Sequence, residues 1–160
     1  MKTKEITKFR KDYSKYEKDC VFEGYQLAVH FDEKEMIKSH GGRWDVEKQT
    51  WWMPAERLST DVHAGIGTIR DVLNDHKMIM GPFGDFKGKK STICDNPHEE
   101  FMLQNNLLKY VVTWYPNQDA VEFVGPYNSN NVVTTWYSAE DAKTRWNELI
   151  DMDYNRVENS

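Results

Sequence analysis

Apolar and polar positions alternate most cleanly from Tyr25 to Phe31. Tyr25, Leu27, Val29 and Phe31 share one parity and Gln26, Ala28 and His30 the other, the period-2 signature of a half-buried strand over 25–31. A helix is predicted next. Asp32 can cap it with Glu35 three residues on, Phe31 can staple onto Met36, and Gly41-Gly42 supplies the backbone conformation that ends it. Arg43–Val46 and Thr50–Met53 then read as short strands around the polar turn Glu47-Lys48-Gln49, with Pro54 stopping the second. Residues 55–79 read as an interrupted helix whose later apolar stripe is Ile66, Ile69, Val72 and Leu73.

The pattern breaks over 81–96, where Gly, Pro and Lys dominate, and a linker loop is expected there. Beyond it the spacing predicts a short helix over 97–106, strands over 107–115, 120–124 and 132–137, and a helix opened by Ser138 with Asp141. The apolar stripe of that helix is Ala142, Trp146, Leu149 and Ile150. At the other end, Ile6, Phe9, Tyr13 and Tyr16 give residues 4–19 one dockable helical face. The expected class is α+β, antiparallel sheets with packed helices in two small lobes. Its parts are a basic segment 1–20, a strand-helix-hairpin lobe 21–80, a linker 81–96, a hairpin-plus-helix lobe 97–153 and a tail 154–160.

Composition changes this picture in two respects. Of the 160 residues 39% are apolar, yet six Trp, eight Tyr and seven Phe supply large buried areas per residue, so a short core suffices. The net charge of -5 is uneven: residues 1–18 hold seven basic side chains against three acidic ones, a net of +4, which leaves -9 on the rest. A basic arm can track phosphate or simply be solvated, while an acidic body opposes the wrapping of long duplex DNA. Two distant cysteines make no disulfide framework, no apolar run has the length of a membrane span, and the first residues lack the apolar stretch of a signal peptide. The expectation is a cytoplasmic protein without membrane contact, in the host cytoplasm if viral.

Candidate chemistry concentrates in the hairpin from Gly41 to Pro54. Asp45 can accept hydrogen bonds from turn amides near Glu47 and Lys48, and Trp44 can pair with Trp51 across the hairpin, closing over Met36 and Ile37. Trp51 and Trp52 are consecutive and so face opposite ways. An exposed Trp52 beside Lys38, Arg43 and Lys48 would suit base stacking with cations on the phosphates, against the plainer reading that each Trp is core. The loop Lys87-Gly88-Lys89-Lys90-Ser91-Thr92 fails as a phosphate loop, because position 83 is Phe and Lys90 occupies the hydroxyl position. Lys87, Lys89 and Lys90 remain candidates for phosphate contact. Cys94 and His98 are one pair where a structural zinc site needs four ligands, and no catalytic motif or acid–base spacing stands out. No catalytic residue, metal or cofactor is expected. In the second lobe the aromatics outnumber the needs of a small core, and Trp114, Tyr127 and Trp136 are the candidate surface for a protein partner or a homodimer.

The run from Tyr25 to Pro54 resembles a small strand-helix-hairpin domain of uncharacterised function in phage, plasmid and bacterial proteins, often appended to primases and other DNA-processing enzymes. The resemblance rests on Gly41-Gly42-Arg43-Trp44-Asp45, Lys48 and Trp51-Trp52-Met53-Pro54, with Gly42 where that family usually has Ala. It is more loosely similar to the single-strand-binding domain of annealing helicases. The resemblance implies a fold and a DNA-metabolism context, not a reaction. Two readings follow. One is a non-enzymatic accessory protein, of phage or mobile-element origin, contacting single-stranded DNA through the hairpin. The other is a protein-binding accessory or inhibitor, of a host or defence protein for example, using the second lobe's aromatic sheet.

Overall fold

The structure, a computed structural model, describes Phe9 and residues 20–62, 67–86, 89–91 and 98–157, with the backbone alone for Cys20, Asp85, Phe86 and 89–91. The chain divides into two compact units, Asp19–Asp95 and Met1–Lys18 with Asn96–Ser160. Each is built on a five-stranded antiparallel sheet, and the class is α+β.

In the first unit β1 (Cys20–Leu27) is the central strand. It begins earlier than alternation implied and stops before Val29 and Phe31. The last bond on this side runs from the Ala28 amide to the Met78 carbonyl at 2.8 Å, after which the chain turns into a single 3-10 turn, Phe31–Glu33. That break leaves Phe31 78% exposed, with the Lys34 ammonium 4.0 Å from its ring centre, so the staple onto Met36 is replaced by a cation on the ring. The cap also shifts: the Glu33 carboxylate, not Glu35, reaches back and accepts from the His30 amide at 3.1 Å. Helix α1 (Lys34–Ser39) is short and buries only Ile37. Gly41 then takes a φ of 96°, which L side chains avoid, and the Gly42 amide closes onto the Ile37 carbonyl at 2.8 Å.

The hairpin follows as β2 (Arg43–Asp45) and β3 (Thr50–Pro54). The expected continuous helix over 55–79 is instead α2 (Ala55–Leu58) and α3 (Ile69–Asp75), with 63–66, and so Ile66, outside the described residues. Thr68 opens α3 by a reciprocal pair, its hydroxyl accepting from the Asp71 amide while its own amide donates to the Asp71 carboxylate. Ile69 and Leu73 are buried as the stripe predicted, and Val72 is half-buried.

The stretch expected to be a linker is largely strand. β4 (Ile79–Phe86) pairs along β1, and β5 (Lys89–Ser91) pairs with Gly84–Phe86. Its glycine and proline are sheet features rather than loop features. A Cβ at Gly84 would stand 1.8 Å from the Val21 carbonyl oxygen, so only glycine permits the approach. Pro82 lies outside the Gly84–Phe86 stretch that pairs with β5 among the described residues, and a strand tolerates a missing ladder donor where that side is unpaired.

In the second unit the sheet order is β10-β6-β7-β8-β9. Residues 97–106, expected as a helix, contain β6 (Glu99–Asn105); good helix formers yield here to a slot beside β7 (Leu108–Tyr115), and Phe101 and Leu103 are buried. A 3-10 turn, Pro116–Gln118, leads to β8 (Ala120–Tyr127), then β9 (Val133–Tyr137). Helix α4 (Ala139–Asp151) is capped by Ser138, whose hydroxyl accepts from the Asp141 amide at 3.2 Å. The expected tail contains a further strand, β10 (Asn155–Val157), on β6. The core of this unit gathers Phe101, Leu103, Val112, Trp114, Val121 and Phe123 from the sheet, and Ala142, Trp146, Leu149 and Ile150 from α4. Phe9 is fully buried among them, its ring 5.3 Å from Trp146 and 5.8 Å from Phe101; the rest of the predicted helix 4–19 lies outside the described residues.

Candidate nucleic-acid interface

The hairpin geometry follows from its turn. The Asp45 carboxylate accepts from the Lys48 amide at 2.8 Å, as its position predicts, and Gln49 takes the left-handed φ of 54° that lets β3 start. Register then sets Trp44 opposite Trp51 and Arg43 opposite Trp52. Because neighbouring residues alternate faces, the two pairs lie on opposite sides of the sheet.

On one side Trp44 and Trp51 meet edge-to-face at 5.5 Å. Trp44 stays 44% exposed, so it does not close a core over Ile37 as the sequence suggested. The Lys38 ammonium stands 6.0 Å over the Trp51 ring and also 3.6 Å from Glu35. Beside these rings lies a cleft of about 410 Å³. Its one wall is the end of β1 and the turn after it, with Leu27, Val29, His30, Phe31 and Lys34; its other wall is the hairpin, with Trp44, Gln49, Thr50 and Trp51. The Gln49 side chain is tied at 2.7 Å to the Val46 carbonyl, which holds its amide at the turn.

On the other side Trp52 is half-buried and stacked on the buried ring of Phe83 at 4.9 Å, with 20° between planes. The Arg43 guanidinium lies 5.7 Å from the Trp52 ring and 3.6 Å from the Glu56 carboxylate. Trp52 is therefore not the exposed ring that the candidate site required. Its neighbours in sequence gave no sign of β4, whose Phe83 covers it.

The sequence-based candidates are thus divided. Lys38 lies with the exposed rings; Arg43 and Trp52 lie on the opposite face; Lys48 sits in the hairpin turn, next to Gln49, but does not line the cleft. Lys87 is outside the described residues, as are the side chains of Lys89 and Lys90. The cleft adds His30, Phe31, Lys34, Gln49 and Thr50, which pattern reading missed. The one available signal was that Phe31 stands directly before a capping sequence, where the strand's alternation no longer binds it.

The aromatic surface expected in the second unit is not formed as proposed. Trp114 and Trp136 are each only 3% exposed, and Tyr127 alone of the three is exposed, at 37%. Trp114 faces α4 in the core, and Trp136 packs near Tyr115 at 6.0 Å. Opposite α4 the same sheet carries Glu122, whose carboxyl is pushed up by burial, and Tyr115, raised by burial and then by Glu122 and Glu100. Among the described residues no group of three or more His, Cys, Asp or Glu is placed to hold a metal ion, and no helix is long and apolar enough to cross a membrane.

No curated protein and no solved structure matches the chain. Residues 25–63, which include every residue lining the cleft, match the family model described as Domain of unknown function (DUF5710).

Proposed function

We propose that this protein binds single-stranded nucleic acid through the cleft between the β1–α1 turn and the hairpin, as an accessory protein without catalysis of its own. The observation that carries this reading is a concave aromatic wall left open to solvent, with Phe31 and Trp44 exposed, Trp51 behind them, and Lys34 and Lys38 at the rings. Aromatic faces accept any base, and cations nearby hold the phosphates. The resemblance of residues 25–54 to modules appended to primases supports a place in DNA processing by a phage or mobile element. A protein-binding role through Trp114, Tyr127 and Trp136 loses support because two of the three rings are buried.

The acidic body limits the reading to a local contact. With Lys34 and Lys38 at the rings and Lys48 in the adjoining hairpin turn, about three phosphates are held. For a single strand the logarithm of affinity then falls with that of salt at a slope of about -2, a loss of roughly twentyfold between about 50 and 200 mM. Titrating the chain with a short single strand while following tryptophan fluorescence tests this. Salt-sensitive quenching by single strands, weaker with duplex, is the expected result; no response at low salt refutes the function.

A further inference from the structure

We infer that the cleft is a site for one unpaired nucleotide, whose base lies against Trp44 and Phe31 and whose phosphate is held by Lys34. This rests on the single-strand reading above. Three features of the cleft narrow its occupant. The first is size. A volume of about 410 Å³ is near the lower end of small-molecule sites, which run from about 300 to 1,000 Å³. That is room for one nucleotide rather than a stacked run.

The second is shape. The lining comes from two separate elements, the turn after β1 and the hairpin, so a guest in the cleft touches both rather than one flat platform. A paired base presents only its edge to a protein, and its face becomes available only when it leaves the stack. A recessed aromatic wall therefore selects a strand end, a gap or a splayed base over intact duplex.

The third is charge. Phe31, Trp44 and Trp51 form the kind of aromatic enclosure that also suits a quaternary ammonium ion. Lys34 decides between the two. Lys34 lines the cleft, and its ammonium, 4.0 Å from the ring centre of Phe31 in the same lining, repels a cationic guest and attracts an anionic one. An aromatic ring carrying a phosphate satisfies both the wall and the lysine. Gln49 and Thr50 at the hairpin end supply polar groups near the base edge, and none is held in the charged, forked geometry that would fix a single base. The site takes any base, with the phosphate required.

Calorimetry with the full chain separates the possibilities using five probes: a single strand of about eight nucleotides, within the usual range of single-strand sites; the same strand with abasic sugars; a nucleoside 5′-monophosphate; the matching nucleoside; and a trimethyl-lysine peptide. Removing the bases is expected to weaken binding by at least about fivefold, the low end of what base–aromatic stacking contributes. The monophosphate is expected to compete with the strand and the nucleoside to compete less well. Trp44→Ala and Lys34→Gln should each lose binding, Trp44→Phe should retain most of it, and Arg43→Gln on the opposite face should leave it unchanged. Trp44 is exposed enough that its loss leaves the fold intact, which the circular dichroism of the variant checks. If the abasic strand binds as well as the natural one, the nucleotide site is refuted while single-strand binding stands. If no strand binds, both fall. Tighter binding of a trimethyl-lysine peptide than of the monophosphate overturns the charge argument.

Discussion

The two units each place tryptophan at a sheet face, and only one leaves it wet. In the second unit Trp114 is 3% exposed beneath α4; in the first, Trp44 is 44% exposed beside α1. The difference is the length of the covering helix. Helix α4 has 13 residues and spans about 20 Å, close to the width of a five-stranded sheet at about 4.8 Å per strand. Helix α1 has six residues, spans about 9 Å, and is stopped by Gly41 after burying Ile37. Of α1 only the Lys38 ammonium reaches the hairpin rings, over Trp51, and Trp44 is left exposed. Richness in aromatics is thus no index of a binding surface, because an adequate helix turns the surplus into core.

The largest expected effect tests the dry side of this comparison. Trp146→Ala empties the centre of the second core, where the indole meets Phe9 and Phe101 edge-on, and should cost about 3–5 kcal/mol in urea denaturation. Trp44→Ala in the hairpin should cost less, about 1–2 kcal/mol, since it gives up one edge-to-face contact and the burial of a ring already 44% exposed. Equal losses would mean that Trp44 is a core residue in solution, and the comparison would fail.

The next effect reverses the ranking by reading binding instead of stability. Trp44→Ala should lose about 1–3 kcal/mol of single-strand affinity, the usual contribution of a base-stacking ring. Trp52→Ala should do the opposite: it unstacks Phe83 and lowers the urea midpoint, yet folded protein should bind as before. A Trp52 variant that folds normally and fails to bind would move the interface to the other face of the hairpin.

These two neighbours show where the sequence is legible and where it is not. Local signals held: the Asp45 turn, the Trp44–Trp51 pair, the glycine stop after α1 and the Ser138 cap all depend on residues within a few positions of one another. Non-local coverage did not. That one face of Trp52 would be covered by Phe83 depends on β4, some thirty residues away, and β4 itself was disguised by Gly81, Pro82 and Gly84. Glycine marks either a turn or a close approach of two backbones, and only the partner strand distinguishes them. Phe31 failed in the opposite sense. Alternation assigned it to the buried face, but the ladder ends at Ala28 and the ring swings out to form one wall of the cleft. Residues 97–106 failed because helix propensity is a weak prior beside the pairing that β7 and β10 offer on either side of β6.

The smallest effect probes the second sheet on the side away from α4. Glu122 lies on β8 in register with Thr113 on β7 and Trp136 on β9, and burial raises its carboxyl above the ordinary value of 4.5. A raised carboxyl holds a proton in the folded chain that the unfolded chain has already released. Its contribution to stability is therefore fully present below pH 4.5 and is lost as pH rises through the raised value, because the folded state must then hold a buried charge. Glu122→Gln removes that charge at nearly constant shape. Its urea midpoint should exceed the parent's at about pH 8 and converge with it at about pH 3, below the ordinary carboxylate range. Glu47→Gln in the exposed hairpin turn should stay within about 0.5 kcal/mol of the parent at both values, as surface changes do. If Glu122→Gln is also flat with pH, this side of the sheet is hydrated in solution. Trp136 would then rejoin Tyr127 as accessible surface, and the contrast between a dry second sheet and a wet hairpin would hold only on the side covered by α4.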